Sequence, residues 1–284
     1  MRIRTARRTA TGRTRGIPSP IIAVMLAASG ATAQTASLDD AVIVAQEQVR
    51  TGNGAAIWGG IGGGDIGFGN GTNINGPLRY VNHFDPGRGS RLSEAAQRVN
   101  AINPLATPEI PTDPGQGLGL RHGEDRAVQA GAFGNVDAGN GATLRLDPGS
   151  FALGGLDAGQ NFSLVADTTA GDVTATFDGA FRARNGLSIR NEGPGVLRLV
   201  VRDGFEAGHG ASIRAGVFAG GNIELDNGAF VEGGLFAGGS IEAGDGLHAV
   251  HGSALFEPAS VQVPGPSAAA AIGLGALLAS RRRR

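Results

Sequence analysis

The sequence predicts an all-β protein, a right-handed parallel β-helix (solenoid) with one or two short helices N-terminal to it, and three observations carry that prediction. First, the chain repeats itself between Ala127 and Val263 at a spacing near 20 residues. Phe218-Ala-Gly-Gly-Asn-Ile-Glu224 recurs as Phe236-Ala-Gly-Gly-Ser-Ile-Glu242, and Gly139-Asn-Gly-Ala-Thr-Leu-Arg145 as Gly208-His-Gly-Ala-Ser-Ile-Arg214. Self-similarity at such a period marks stacked repeats. Second, apolar and polar residues alternate inside each repeat, as in Thr143-Leu-Arg-Leu146, Val173-Thr-Ala-Thr-Phe177 and Asn222-Ile-Glu-Leu225. In a strand this sends one set inward and the other outward. Third, turn residues bound each piece: Asp147-Pro-Gly149, Asp178-Gly179, Asn185-Gly186, Asp203-Gly204, Asp226-Asn-Gly228 and Asp245-Gly246. Gly and Asn supply the positive φ that sharp corners need.

Strands this short cannot bury a face alone, whereas stacked coils share an interior and pair their backbones with the next coil. Right-handed winding is the default for parallel crossovers. At ~19 residues per coil, the stretch holds about seven coils. The offset between the two Phe-Ala-Gly-Gly units places Phe218 over Phe236 and Ile223 over Ile241, all facing inward. The competing architecture is an antiparallel sandwich with Asp-Gly hairpins.

The chain divides into residues 1–33, 34–120, 121–262 and 263–284. In the second division, Ser37 to Arg50 predicts a helix: Ser37 can cap it, Asp39 and Asp40 suit its first turn, and Leu38, Val42, Ala45 and Val49 share one face. Short Gly-rich strands follow at Ile57-Trp58, Ile66 to Phe68, Ile74 and Leu78 to Val81, as a first set of coils or a cap. Leu92 to Ile102 predicts a second helix, with Ala95, Ala96, Val99 and Ile102 on one face. Pro104 to Gly119 is a Pro/Gly-rich extended connector. The two helices are candidates for covering an end of the solenoid or packing along its side.

Residues 1–33 have the form of a secretory signal peptide. Arg2, Arg4, Arg7, Arg8, Arg13 and Arg15 stand without an acid, an apolar core runs from Ile21 to Ala28, and Ala31-Thr-Ala33 is a small-x-small site that places signal-peptidase cleavage before Gln34. At the other end, Val263, Pro264, Gly265, Pro266 and Ser267 precede an apolar run from Ala268 to Ala279 and then Arg281, Arg282, Arg283 and Arg284. As a helix the run spans about 18 Å, against a hydrocarbon core of roughly 30 Å. That is too short for a comfortable permanent span, and the Arg cluster favours the cytoplasmic side.

This three-part tail resembles the PEP-CTERM sorting signal, with Gly265 where the usual motif has Glu. The resemblance implies a transient transmembrane helix in the inner membrane, cleavage by an exosortase-type protease, and delivery to the cell surface or extracellular matrix of a Gram-negative-type bacterium. Residues 127–249 in turn resemble Gly-rich bacterial surface β-helices, the choice-of-anchor and ice-binding-like adhesin domains. The repeated Gly-x-Gly-Ala-[ST]-[LI]-Arg and Phe-Ala-Gly-Gly-x-Ile-Glu units carry that likeness. It implies a structural, adhesive or extracellular-matrix role in a biofilm, with extracellular polysaccharide as a candidate partner; a helix before the solenoid also occurs in the ice-binding-like members.

Composition agrees with an exported solenoid. Gly accounts for 50 of 284 residues, against ~7% in ordinary proteins. No Cys is present, so packing and hydrogen bonds alone hold the fold. All basic residues other than His are Arg. Without the ten Arg of the two end segments, 14 Arg face 25 acids, a net of −11. Such a surface argues against nucleic acid or an anionic membrane as partner.

Chemistry-bearing motifs are thin. Gly62-x-Gly64-x-x-Gly67 satisfies the dinucleotide pattern, but a Gly-rich tract does so by chance and no helix is predicted after it. Gly59 to Asp65 approaches a Ca²⁺-binding Gly-Gly-x-Gly-x-Asp repeat, with its Asp one place late and without tandem copies. His248 and His251 read as solvated loop residues; His83, His122 and His209 are isolated. Asp137, Asp157, Glu206, Glu224, Glu232 and Glu242 are candidates for outward ladders, Glu224 and Glu242 stacking directly. No cofactor is expected; weakly bound Ca²⁺ between such acids is the one candidate. The reading is a non-enzyme. The alternatives are an ice-binding protein, which needs flat Thr ranks where Thr168, Thr169, Thr174 and Thr176 cluster on one or two coils, and a carbohydrate-active enzyme, marked by acids and basic residues gathered on one face.

Mass spectrometry of the exported protein is expected to find a chain that begins at or near Gln34 and stops near residues 264–267. An intact Arg281–Arg284 tail in the mature extracellular form would contradict the sorting reading.

Overall fold

Each repeat bends at three corners, and the short strands between them stack on their counterparts in the next coil. In the computed structural model, which describes residues 41–102 and 115–252, this yields one continuous 26-stranded sheet wound into three faces. Every described pairing is parallel, which rules out the hairpin sandwich.

Face 1 starts with Leu118–Leu120, Val136–Ala138, Leu156–Ala158, Phe181–Ala183, Phe205–Ala207, Ile223–Leu225 and Ile241–Ala243. These are seven layers, the number expected from the period, but they begin at Leu118, within the stretch expected as a connector. The stack then continues through Gln48–Thr51 and the later parts of Gly60–Phe68 and Leu78–Asp85. Nine successive pairings make ten layers, about 43 Å from first to last at ~4.8 Å per layer.

The stack does not follow chain order. Ala41–Ala45 lies between Phe230–Ala237 and Gly60–Phe68, so the first described strand sits directly beyond the last complete coil. Ala56–Trp58 pairs likewise with His248–Val250. The sheet therefore runs without a break across the expected division between residues 120 and 121.

Neither expected helix is present among the described residues. Ala41–Ala45 and Gln48–Thr51 are strands, and 92–102 holds only the end of the short strand Arg91–Leu92 and the short strand Gln97–Arg98. Val42, Ala45 and Val49 fit a helical face, but Ala41-Val-Ile-Val-Ala45 is also a continuous run dominated by β-branched residues. All five side chains are buried. That is the signature of a strand enclosed on both sides, and such a strand satisfies more apolar surface here than a helix on the outside would. Ser37 to Asp40 lie outside the described residues.

The interior is predominantly apolar, with Thr51 and Thr72 among its few buried polar side chains. Phe151, Phe162, Phe177, Phe181 and Phe205 are among its largest fully buried side chains, and Phe181 stacks on Phe205 with ring centroids 4.7 Å apart. Ile223 lies between Phe205 and Ile241, fully enclosed, as the offset predicts. The register of Phe218 over Phe236 also holds, with rings 4.9 Å apart, but their direction differs from expectation. In Gly216-Val217-Phe218-Ala219 the inward positions belong to Val217 and Ala219. Phe218 and Phe236 point out of face 3 into a separate apolar cluster with Ala41, Val44 and Ile102.

One corner recurs at every layer, between faces 1 and 2, as Ala-Gly-Asn-Gly or a close variant. Its last position takes φ near +70° at Gly54, Gly71, Gly141, Gly210, Gly228 and Gly246, and Asn161, φ 55°, is the one described non-Gly residue with positive φ. At most layers its third position is a side-chain acceptor. Asn140 Oδ1 accepts from the Gln160 N–H (2.8 Å), Asn185 from His209 (3.1 Å), Asn227 from Asp245 (2.7 Å) and Asn53 from Asn70 (2.9 Å). Asp245 continues the series to the Asn53 N–H at 2.6 Å. A Cβ on Gly159 would lie 2.3 Å from Asn140 Oδ1, so the glycine just before each donating N–H clears space for the acceptor of the preceding coil.

Two substitutions test this account. Ile223→Asp buries an unpaired carboxylate in the interior and is expected to cost several kcal/mol. Gly228→Ala meets nothing within 4 Å, so its cost isolates backbone strain and should be about 1–2 kcal/mol, whereas Asn161→Gly should be close to neutral. Chemical denaturation reads all three; a neutral Gly228→Ala would remove the corner argument.

Candidate functional site

Outward positions of face 1 fall in register because its strands pair without slippage. The central position reads Asp137, Asp157, Arg182, Glu206, Glu224, Glu242 and Arg50 in successive layers. Glu224 and Glu242 stack directly, as the repeat predicts. Arg182 Nε meets Glu206 Oε1 at 3.1 Å, so one end of the three-glutamate run is neutralised in part. Glu232 belongs instead to face 2, where it pairs with Arg214 at 3.2 Å.

The Ala-Gly-Asn-Gly corner beside this ladder is cut back by its glycines, which leaves an open trough parallel to the solenoid axis. One stretch, about 620 Å³, is bounded by Glu206, Glu224 and Glu242 on the face side and by Asn185 and Asp226 at the corner. A second, about 590 Å³, continues it toward the first coil between Asp137 and Asp157 on one side and His122 and Asn140 on the other. Arg184 lines both stretches and joins them. Carboxylates, amides and one guanidinium therefore line a channel that crosses many coils, a shape for an extended ligand rather than a compact one.

Face 2 carries a different pattern. Thr143, Ser163, Ser188 and Ser212 form one outward rank over four coils, and the next holds Arg145 and Arg190 with Val165 buried between them. Arg145 Nε reaches both oxygens of Asp125 at 3.0 and 3.1 Å, and Arg190 lies 3.4 Å from Glu192. Of the threonines noted in the sequence, Thr168 and Thr176 are buried and offer no exposed rank. Away from the trough wall, the Arg121 N–H donated to Glu124 (2.7 Å) holds that carboxyl below its usual range against a smaller opposing effect of burial, and Arg126 adds to the lowering.

The dinucleotide-like glycines lie within the strand Gly60–Phe68, where Gly64 packs against the Glu47 carbonyl and no helix follows, so the motif has no phosphate-binding context. His248 is not a loop residue. It sits in the strand His248–Val250 with its ring between Phe230 and Trp58, and His251 donates its backbone N–H to the Trp58 carbonyl (2.8 Å). Among the described residues no group of three or more His, Cys, Asp or Glu is gathered to hold a metal, and no helix is long and apolar enough to cross a membrane. Ala31, Ala33, Gln34, Val263 to Ser267 and Arg281 to Arg284 lie outside the described residues.

Comparison with known proteins adds little to this geometry. No protein family matches the chain, and no curated protein does. Two solved structures are similar. An ice-binding protein from an Antarctic ascomycete, Antarctomyces psychrotrophicus, is 12% identical with a TM-score of 0.41, the match covering 75% of this chain and 95% of that one. An ice binding protein from an Antarctic biological consortium is 15% identical with the same TM-score, covering 85% and 96%. At these values neither assigns a family or a ligand to this chain.

The three-glutamate run makes its own prediction. Like charges directly opposite one another across strands repel, so Glu224→Gln should raise the melting temperature slightly, with the gain vanishing in ~1 M salt. A fall in melting temperature would mean that Glu224 holds a partner of its own.

Proposed function

We propose that this protein is an exported, exosortase-processed surface solenoid that binds an extended extracellular polysaccharide along the trough of face 1, in an adhesive or matrix role without turnover. The observation that carries the reading is the trough itself, open along the axis and lined over successive coils by hydrogen-bonding groups. Hydroxyl-rich polymers present donors and acceptors at every unit, and Asp137, Asp157, Asn140, Asn185, Glu206, Glu224 and Glu242 offer partners at matching layer intervals. The glycine corners let a chain approach the backbone closely. The excess of carboxylates selects neutral or amino-sugar polymers over polyuronates, because complementary charge favours the right partner and like charge excludes the wrong one. Export and surface delivery rest on the two end segments.

The test is binding of the mature protein to neutral, amino-sugar and polyuronate polysaccharides, followed by the Glu224→Arg/Glu242→Arg double variant. The wild type should favour the first two, and the variant should shift preference toward polyuronate by about tenfold or more, since each ~1.4 kcal/mol is a factor of ten. Binding to none of the three would discard the reading. So would turnover of a polysaccharide abolished by a single Asp or Glu substitution.

A second reading, ice binding, is favoured by the rank Thr143, Ser163, Ser188 and Ser212. Ser188→Lys should then abolish thermal hysteresis. Absence of hysteresis in the wild type would remove this reading and leave the first untouched.

A further inference from the structure

We infer that Trp58 and the notch beyond it form a carbohydrate subsite separate from the trough, a stacking platform for one sugar ring. The inference shares its ligand class with the reading above but rests on another face and other residues, so the two can fail independently. Trp58 is the single tryptophan of the chain and, among the described residues, its one exposed large hydrophobic side chain, at 40%. It occupies an outward position of face 2, between Val250 in the layer before and Asn75 in the layer after.

An aromatic ladder backs it. The His248 ring lies 4.6 Å from the Trp58 ring at 47°, and Phe230 stacks on His248 from the preceding coil at 5.3 Å and 16°. Both supports come from the layers before Trp58. The notch lies on the other side, in the layers after it, where Ile74 contributes to an apolar floor and Asn73, Asn75, Arg91 and Ser93 form a polar rim. Its volume is about 250 Å³, below the usual range for a drug-sized ligand, so it takes a single ring and not a folded molecule.

Such a pair of surfaces matches a pyranose. One face of the sugar presents C–H bonds, which the negative π-face of an indole attracts, while its rim presents hydroxyls. Among the described residues no carboxylate pairs with Arg91 and the side-chain amides of Asn73 and Asn75 make no hydrogen bond, so within the described structure these groups face the notch without a partner. A purely apolar partner would leave these groups unpaired, and a charged ligand would find little apolar floor to use. Face 1 and its acids are not involved.

Because the chain holds one tryptophan, its emission reports on this site alone. Titration of the mature protein with neutral mono- and oligosaccharides should change Trp58 emission saturably. By calorimetry, Trp58→Ala should weaken the same sugar at least fivefold, Asn75→Ala/Arg91→Ala should weaken it comparably, and Trp58→Phe should restore part of the loss. The substituted side chains are exposed, and circular dichroism verifies that each variant keeps its fold. In the Glu224→Arg/Glu242→Arg variant the emission response should persist even where trough binding changes. An unchanged emission with every sugar, or wild-type affinity in Trp58→Ala, would overturn the inference. An emission shift that depends on protein concentration without sugar would assign the patch to a second copy of the chain and overturn it equally.

Discussion

Everything in this structure depends on keeping successive coils in register, and the corner between faces 1 and 2 holds that register. The three-residue strands that open face 1 have few hydrogen bonds each, and a slip of one residue would turn every core side chain outward. The Asn acceptor resists the slip because its carbonyl oxygen reaches the N–H of the equivalent corner one layer on. Such a bond forms only if the layer above carries a bare glycine at the approach and a positive-φ residue after it. The three requirements are met together at most layers, which leaves the corner narrow in side-chain bulk.

That narrowness links fold to site. Removing side chains from one edge to let coils stack leaves a depression along the edge from Leu120 to Gly244, and the face beside it stacks equivalent outward residues about 4.8 Å apart. A single residue type repeated in the sequence thus becomes a line of identical groups in space, as with Glu206, Glu224 and Glu242. Such lines are poor at converging on one atom, as catalysis or metal binding requires, and well suited to a ligand that repeats.

The same logic explains why Trp58 matters and why it is isolated. It lies where the N-terminal coils continue the stack beyond His248–Val250, so its aromatic support comes from residues nearly two hundred positions away in the chain. Local patterning around Ile57-Trp58 shows a short strand and nothing more. The indole gains its platform from the pairing of the N-terminal coils with the last C-terminal one.

Much was legible in the sequence. Period, alternation and Gly/Asn corners determined a parallel solenoid, the stacking of Ile223 on Ile241 and the Glu224–Glu242 ladder, because each follows from local backbone geometry repeated at a constant interval. Three features were decided only by tertiary structure. Ala41–Ala45 became an enclosed strand where its pattern also fits a helix, Phe218 and Phe236 turned outward, and residues 41–98 stacked beyond the last coil instead of before the first. In each case the local pattern admits two solutions of similar merit. What separates them is which neighbouring surface is free to bury the residues, and a linear sequence does not contain that.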